Sequence, residues 1–193
     1  MADLRLFIAA EITEEMRSKL GELIEKLSSP EDGVKWVRPG AIHLTLKFLG
    51  SVKEGDLKKV TEAGEEGVSG FKGMDDISLT VKELGTFPGG NKSRGARVIW
   101  VGLDGDIERL GAIRDSLEET FSKIGFPRED RDFRPHLTLG RVKGRADRRM
   151  IERIEGMKDI ILGDIRVSGL HLFKSDLRPT GAVYTSLFYY PFG

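Results

Sequence analysis

The chain has 193 residues, of which 39% are hydrophobic and 32% are charged, and its formal net charge is zero. The absence of cysteine excludes disulfides, thiolate metal sites and cysteine nucleophiles, and the neutral balance argues against non-specific nucleic-acid binding through a basic surface. We see no apolar run long enough to span a membrane and no signal peptide, so we expect a cytoplasmic protein without membrane attachment.

Hydrophobic periodicity predicts a strand over residues 4–12 and then a helix that Thr13 caps. The other predicted helices cover residues 56–68, 106–124 and 147–157. Further strands are predicted over residues 34–37, around each of two His-Leu-Thr-Leu motifs, and over residues 76–84 and 96–103. A loop is expected over residues 86–95, and a closing hairpin is expected from residues 160–173 and 183–190 around a turn at 178–181.

The motif His-Leu-Thr-Leu occurs twice, at residues 43–46 and 136–139, and it holds two of the three histidines. On a strand, successive side chains point to opposite faces, so the leucines of each motif should face a core. His43 and Thr45 then share the other face, as do His136 and Thr138. One such motif would be read as a half-buried strand, but its duplication favours a shared site.

Two histidines at one site supply a general base and a general acid, because the imidazole pKa lies close to neutrality. Two threonine hydroxyls can donate hydrogen bonds to an anion between them. This set of groups fits in-line phosphoryl transfer. A local surplus of Arg and Lys over residues 128–149 surrounds His136, and we interpret it as an anion-attracting rim.

A second repeat accompanies the motifs. The spacing Val-x-x-Leu-x-x-Phe occurs at residues 81–87 and 167–173, and Gly-Ala follows at the same offset at 95–96 and 181–182. The repetition predicts two similar α+β lobes around a pseudo-two-fold axis. Such symmetry would place His43 and His136 on opposite sides of one cleft.

The two H-x-T-x motifs and their continuations at 47–50 and 140–142 resemble the paired signatures of the 2H phosphoesterase superfamily. Three further segments are similar to the RNA 2′,3′-cyclic phosphodiesterase family, also called 2′-5′ RNA ligase. They are KWVRP at 35–39, RVIWV at 97–101 and SDLRPTGAVY at 175–184. The resemblance runs from residue 5 to residue 191. It implies one 2H phosphoesterase domain over 1–193, with two lobes of antiparallel sheet, helices outside and the active-site cleft between the lobes.

The resemblance implies that Arg141, which follows the second motif, contacts the substrate phosphate. Strict alternation would put Arg141 on the face opposite His136, so this role needs a twist or bulge, which Gly140 could allow. Phe48 meets the same conflict after the first motif. It could stack on a nucleobase, but alternation places it in the core with the leucines, and the core is slightly favoured. His171 lies outside any H-x-T motif, and we expect it to be structural.

We therefore expect a metal-independent RNA 2′,3′-cyclic phosphodiesterase with His43 and His136 as catalytic residues and Thr45 and Thr138 as phosphate ligands. Water attacks the cyclic phosphate, and the resemblance implies that the 3′ oxygen leaves and a 2′-phosphate results. The alternatives are a 2′-5′ RNA ligase working by the reverse reaction and a non-catalytic RNA-end binding module. We expect no cofactor, no requirement for ATP, a monomer, and a partner RNA or nucleotide that ends in a 2′,3′-cyclic phosphate.

Overall fold

The structure is a computed structural model that describes residues 3–30, 32–88, 95–179 and 181–193. Nine strands and four α-helices occur along these residues, which confirms the predicted α+β class. The strands are β1 (Asp3–Ala10), β2 (Val34–Trp36), β3 (Leu44–Lys53), β4 (Ile77–Phe87), β5 (Val98–Gly105), β6 (His136–Val142), β7 (Ile161–Val167), β8 (Gly169–Arg178) and β9 (Gly181–Pro191). The helices are α1 (Glu14–Leu27), α2 (Leu57–Ser69), α3 (Ile107–Lys123) and α4 (Arg148–Gly156).

Two of the helices begin at residues whose side chains satisfy free backbone N–H groups. The Thr13 hydroxyl accepts a hydrogen bond from the Met16 N–H at 3.2 Å, as predicted, and the Asp147 carboxylate accepts one from the Met150 N–H at 3.1 Å. Residues 89–94 of the predicted loop, including the glycines at 89 and 90, lie outside the described residues.

The strands form one antiparallel sheet whose order, β7-β4-β5-β6-β3-β1-β8-β9, is symmetric about the β6–β3 pair, with β2 added to β6. Each Val-x-x-Leu-x-x-Phe repeat ends in a strand that pairs with a strand from the other half of the chain. From the first half, β4 pairs with β5, and from the second half, β8 pairs with β1. We call β3-β1-β8-β9 the His43 lobe and β6-β5-β4-β7 with β2 the His136 lobe. Both lobes are therefore built from both halves of the chain, around the predicted pseudo-two-fold axis.

One predicted element is wrong. Residues 160–173 do not form a single strand of the closing hairpin, because β7 pairs with β4 at one end of the sheet whereas β8 pairs with β1 and β9 near the other. Only Ser168 separates β7 from β8, so the sheet is curled until its two ends approach each other. The hairpin itself consists of β8 and β9.

The helices cover one face of the curled sheet. Helices α2 and α3 pack together, with α2 against β9 of the His43 lobe and α3 against β3 and β4, one strand of each lobe. Helices α1 and α4 pack against β7 and β4 of the His136 lobe. Among the residues that the structure describes, forty buried hydrophobic side chains fill the space between helices and sheet, and burial of this apolar area is the main stabilising contribution. The opposite face, which we call the cleft face, carries the polar side chains of both motifs.

Candidate active site

The two motifs meet at the centre of the sheet. Strands β3 and β6 are joined through the antiparallel pair Leu44↔Leu137, which is the same position in each motif. Both leucines are fully buried against the helices, so the His and Thr side chains on either side of them lie on the cleft face. In this register Thr45 lies alongside His136, and His43 lies alongside Thr138.

A β-bulge follows at the same place in both motifs. On β3, Thr45 pairs with Ala9 and Lys47 with Ile8, so Leu46 is the extra residue. On β6, Thr138 pairs with Trp100 and Gly140 with Ile99, so Leu139 is the extra residue. A bulge of one residue inverts the alternation beyond it.

The inverted alternation resolves the conflict over Arg141, because a residue that follows the bulge by two positions returns to the face of the histidine. Arg141 is exposed, and its positive charge acts on both His136 and Tyr184 of β9. Burial, the larger effect, raises the pKa of Tyr184, while Arg141 and Arg5 lower it. Arg141 therefore lies on the cleft face within electrostatic reach of His136 on one lobe and Tyr184 on the other.

The same inversion shows that the slight preference for Phe48 as a core residue is wrong. Its side chain is 65% exposed, whereas the preceding Lys47 is buried. The Phe48 ring lies 6.2 Å from the ring of Phe7 on the cleft face, centroid to centroid. An exposed aromatic ring beside the motifs has the geometry that base stacking needs.

Each motif histidine is oriented by the backbone two residues before it. The Nδ1 of His43 lies 2.9 Å from the Ala41 carbonyl oxygen, and the Nδ1 of His136 lies 2.7 Å from the Arg134 carbonyl oxygen. A carbonyl oxygen only accepts, so Nδ1–H donates in both cases and Nε2 is the nitrogen left to exchange a proton. The two imidazoles are held in the same tautomer by the same contact.

Aromatic rings pack against both imidazoles. His43 packs 4.7 Å from Phe7 and edge-to-face 4.9 Å from Tyr184, while His136 packs edge-to-face 5.1 Å from Phe87. The pKa of His43 is lowered to about 4, chiefly by burial and in part by the charge of Arg17, while the hydrogen bond to Ala41 opposes the shift. Burial likewise lowers the pKa of His136. Both imidazoles are neutral at pH 7 in this site, and a bound anion would raise the pKa of each.

Lys47 is a supporting residue that the sequence analysis missed, because its burial depends on the bulge. Its ammonium lies 2.7 Å from the Glu118 Oε2 on α3 and donates to the Pro127 carbonyl at 3.0 Å. Glu118 also accepts a hydrogen bond from the Glu129 N–H at 3.2 Å. This buried pair thus ties the first motif to the segment that leads into His136.

The third histidine, His171, lies on β8 away from the β3–β6 pair. Its Nδ1 lies 2.8 Å from the Ser186 hydroxyl, its Nε2 lies 3.9 Å from the Glu11 carboxylate, and its ring stacks on Phe173 at 5.2 Å. Burial lowers the pKa of His171, whereas Glu11 raises it. These contacts fit the structural role expected for it, which stays a prediction.

The described residues contain neither a metal-ligand cluster nor a membrane-spanning helix. Across residues 3–30, 32–88, 95–179 and 181–193, no three His, Asp or Glu side chains form a group that could hold a metal ion. No helix in these ranges has the length and apolar character that crossing a membrane requires.

The sequence model of the family described as LigT-like phosphoesterase matches the chain twice, over residues 11–100 and 101–184. Each match contains one motif. The chain is 34% identical over 184 residues to the RNA 2′,3′-cyclic phosphodiesterase of Methanothermobacter thermautotrophicus, covering 95% of this chain and 96% of that one. It is 35% identical over 187 residues to the protein of the same name from Thermotoga maritima, covering 96% of this chain and 94% of that one.

Solved structures share the fold. The protein TT0787 of Thermus thermophilus has a TM-score of 0.75 at 29% identity and covers 97% of each chain. Escherichia coli LigT complexed with 3′-AMP has a TM-score of 0.74 over 98% of each chain, and at 22% identity this likeness concerns the fold alone. The duplicated match and the full-length relatives confirm the resemblance found in the sequence: the chain is an enzyme of the LigT-like phosphoesterase family, within the 2H phosphoesterases.

Proposed function

We propose that this enzyme is an RNA 2′,3′-cyclic phosphodiesterase that works without a metal ion, with His43 and His136 as general base and general acid. The observation that carries the proposal is the Leu44↔Leu137 pair, because it sets two equivalent imidazole–hydroxyl pairs side by side on the cleft face. The names of the relatives from M. thermautotrophicus and T. maritima support the same substrate.

The reaction requires that one proton be removed from the attacking water and that one be delivered to the leaving 3′ oxygen. The oxygen of water attacks phosphorus, and its proton passes to the Nε2 of one histidine. The other histidine enters the step as an imidazolium, because the bound phosphate anion raises its pKa. The bond from phosphorus to the 3′ oxygen breaks, and the Nε2–H of this imidazolium protonates that oxygen, which leaves a 2′-phosphate and a 3′-hydroxyl. The carbonyls of Ala41 and Arg134 keep Nδ1 protonated, so that proton exchange is confined to Nε2.

The remaining cleft residues stabilise negative charge. Thr45 and Thr138 donate hydrogen bonds to the phosphoryl oxygens, and these strengthen as charge develops. Arg141 supplies a positive charge from the His136 lobe, and its guanidinium can donate two parallel hydrogen bonds to a phosphate. Phe48 offers its exposed ring to a base of the RNA.

Strands β4 and β8 each join the lobe that holds the motif of the other half of the chain, so neither half builds a lobe alone. This arrangement supports residues 1–193 acting as one domain with a single cleft. A monomer and a cytoplasmic location stay predictions, as do the absence of any cofactor and of an ATP requirement.

The test is to incubate an oligoribonucleotide ending in a 2′,3′-cyclic phosphate with the enzyme in EDTA. Chromatography against 2′-phosphate and 3′-phosphate standards then identifies the product. We expect conversion to the 2′-phosphate at an unchanged rate in chelator. Loss of turnover that a divalent ion restores would contradict the metal-independent mechanism, and binding without turnover would favour the RNA-end binding module. A 5′-hydroxyl RNA added at high concentration tests for the reverse ligation.

A further inference from the structure

The segment of residues 127–135 carries the contact that orients His136, because Arg134 supplies the carbonyl oxygen that lies 2.7 Å from Nδ1. This segment forms neither a helix nor a strand. Its last three residues line a cavity of about 400 Å³ together with His136, so side chains do not fill the space on that side. The position of the Arg134 carbonyl therefore depends on contacts that the segment makes elsewhere.

Three charged side chains bind the backbone of this segment. The ammonium of Lys47 donates a hydrogen bond to the Pro127 carbonyl at 3.0 Å. Glu118 accepts one from the Glu129 N–H at 3.2 Å, and Arg114, one turn earlier on α3, donates one to the Glu129 carbonyl at 3.0 Å. Both backbone groups of Glu129 are thus bound by side chains of one helix.

The same side chains reach the other end of the segment. The guanidinium carbon of Arg114 lies 5.8 Å from the centre of the Phe133 ring, directly before the residue whose carbonyl holds His136. Arg114 also lies 3.7 Å from Glu118, which lies 2.7 Å from Lys47, and all three side chains are largely buried. We call Lys47, Glu118 and Arg114 the anchor network.

The network begins at a position that the two motifs share. Lys47 stands two residues after Thr45, and the equivalent residue after the second motif is Gly140. Gly140 pairs with Trp36 on β2, and a Cβ at Gly140 would lie 2.7 Å from the Val34 side chain and 3.0 Å from the indole. The residue after each motif therefore contacts the segment that leads into the other motif.

The chemistry of the network suits positioning better than stabilisation. A buried ion pair is often no more stabilising than apolar side chains of similar volume. Apolar side chains could not, however, donate to the Pro127 carbonyl or accept from the Glu129 N–H. Hydrogen bonds from charged groups are strong and directional, so they fix an irregular segment in one conformation.

We propose that Lys47, together with Glu118 and Arg114, is a positioning residue for His136. The anchor network fixes residues 127–135 and thereby the Arg134 carbonyl, which keeps Nδ1 of His136 protonated and its ring oriented. The catalytic part of this inference rests on the proposed function. The network acts through the backbone and not on the substrate, so its loss should lower kcat and leave KM nearly unchanged.

NMR can follow the three histidines of the chain separately. The ¹⁵N shifts of an imidazole distinguish a protonated ring nitrogen from an unprotonated one, and His→Gln variants assign the signals. At neutral pH the His136 signals of Lys47→Met should change toward a mixture of the two tautomers, because the Arg134 carbonyl is no longer held in place. The signals of His43 and His171 should stay as in wild type. Unchanged His136 signals, or equal changes in His43 and His136, overturn the proposal.

A milder variant accompanies Lys47→Met, because loss of a buried ion-pair partner destabilises the fold. Arg114→Gln leaves the Lys47–Glu118 pair in place, and it should change the His136 signals in the same direction. The matched control Arg109→Gln removes a guanidinium of the same helix, which donates to a carbonyl outside the segment at 3.0 Å, and should leave all histidine signals unchanged. Arg114→Gln and Arg109→Gln spectra that agree with each other contradict the proposal.

Kinetics give a second test. A misplacement of about 1 Å can cost about 100-fold in rate, so Lys47→Met should lower kcat on a cyclic-phosphate substrate by about 10- to 100-fold and keep KM within about twofold of wild type. A Lys47→Met protein with wild-type kcat, or one whose loss lies wholly in KM, contradicts a positioning role.

The absence of cysteine permits a rescue experiment. Lys47→Cys, alkylated in urea with 2-bromoethylamine and then refolded, regains an ammonium at nearly the length of lysine, whereas iodoacetamide gives a neutral adduct. Wild type taken through the same treatment is the control for refolding. The ammonium adduct should recover most of kcat and the wild-type His136 signals, and the neutral adduct should recover neither. Equal behaviour of the two adducts overturns the proposal.

The two proposals fail separately. The NMR spectra need no substrate, so they decide whether the anchor network positions His136 even if wild type hydrolyses no cyclic phosphate and the proposed function is wrong. If wild type is active and Lys47→Met keeps its kcat and its His136 signals, the positioning role alone is wrong.

Discussion

The ammonium of Lys47 and the carboxylate of Glu118 form a 2.7 Å ion pair whose side chains are 3% and 6% exposed. The pair lies directly behind the first motif and contacts the segment that leads to the second. Removing Lys47 would leave the buried Glu118 carboxylate with only the more distant Arg114 guanidinium, whose Nε lies 3.7 Å from Oε1, in a medium of low dielectric constant.

Lys47→Met should therefore lower the free energy of unfolding by about 3–5 kcal/mol. The double variant Lys47→Met/Glu118→Gln should recover part of this loss, because the remaining group is no longer charged. Urea denaturation of both proteins beside wild type measures the effect. As a control, Lys58→Met removes an exposed partner of Glu62 and should cost less than about 1 kcal/mol. A Lys47→Met protein as stable as the Lys58→Met control would show that the Lys47–Glu118 pair does not contribute to the free energy of unfolding.

The threonines should act on the transition state. Thr45→Ala or Thr138→Ala should reduce transition-state stabilisation by roughly 1.5–3 kcal/mol, the range for hydrogen bonds to charged groups. That is a decrease of about one to two decades in kcat/KM for a cyclic-phosphate substrate. Thr185→Ala, at an exposed position of β9, is the matched control and should keep wild-type activity. Wild-type kcat/KM in either motif variant would mean that its hydroxyl does not contact the phosphate.

The burial of His43 makes stability depend on pH. Its pKa is about 4 in the folded protein, against about 6.5 in an unfolded chain. Between these values the unfolded state binds more protons, so the stabilising contribution is complete above about pH 6.5 and is lost as pH falls to about 4. At about 1.4 kcal/mol per pKa unit, the loss from His43 is up to about 3 kcal/mol.

Urea denaturation of wild type and His43→Gln at pH 7 and at pH 4.5 checks this expectation. Wild type should lose more stability than the variant between the two conditions. Parallel losses in the two proteins would show that the His43 imidazole is not kept neutral by the fold.

Alternation within the motifs was enough to predict which side chains face the core, because Leu44 and Leu137 are buried where the pattern of period two requires. The internal repeat also predicted the symmetric arrangement of the sheet, since equivalent segments bury equivalent faces. Both inferences depend only on local sequence.

The surroundings of Phe48 and Lys47 could not be predicted in this way. Whether Leu46 is an extra residue depends on its register with β1, a contact between distant parts of the chain. The same reason explains the error over residues 160–173, where the apolar pattern continues across Ser168 although the partner strands change.

The central claim is that His43 and His136 act as one acid–base pair, and kcat/KM of His43→Ala, His136→Ala and His171→Ala on one cyclic-phosphate substrate tests it most directly. A general acid or base contributes about 10²–10⁴-fold, so each of the first two variants should lose at least that much, and their double variant should be little worse. His171→Ala should stay close to wild type, with circular dichroism showing that all four proteins are folded. An inactive His171→Ala together with a folded His43→Ala or His136→Ala that keeps most of its activity would contradict the account.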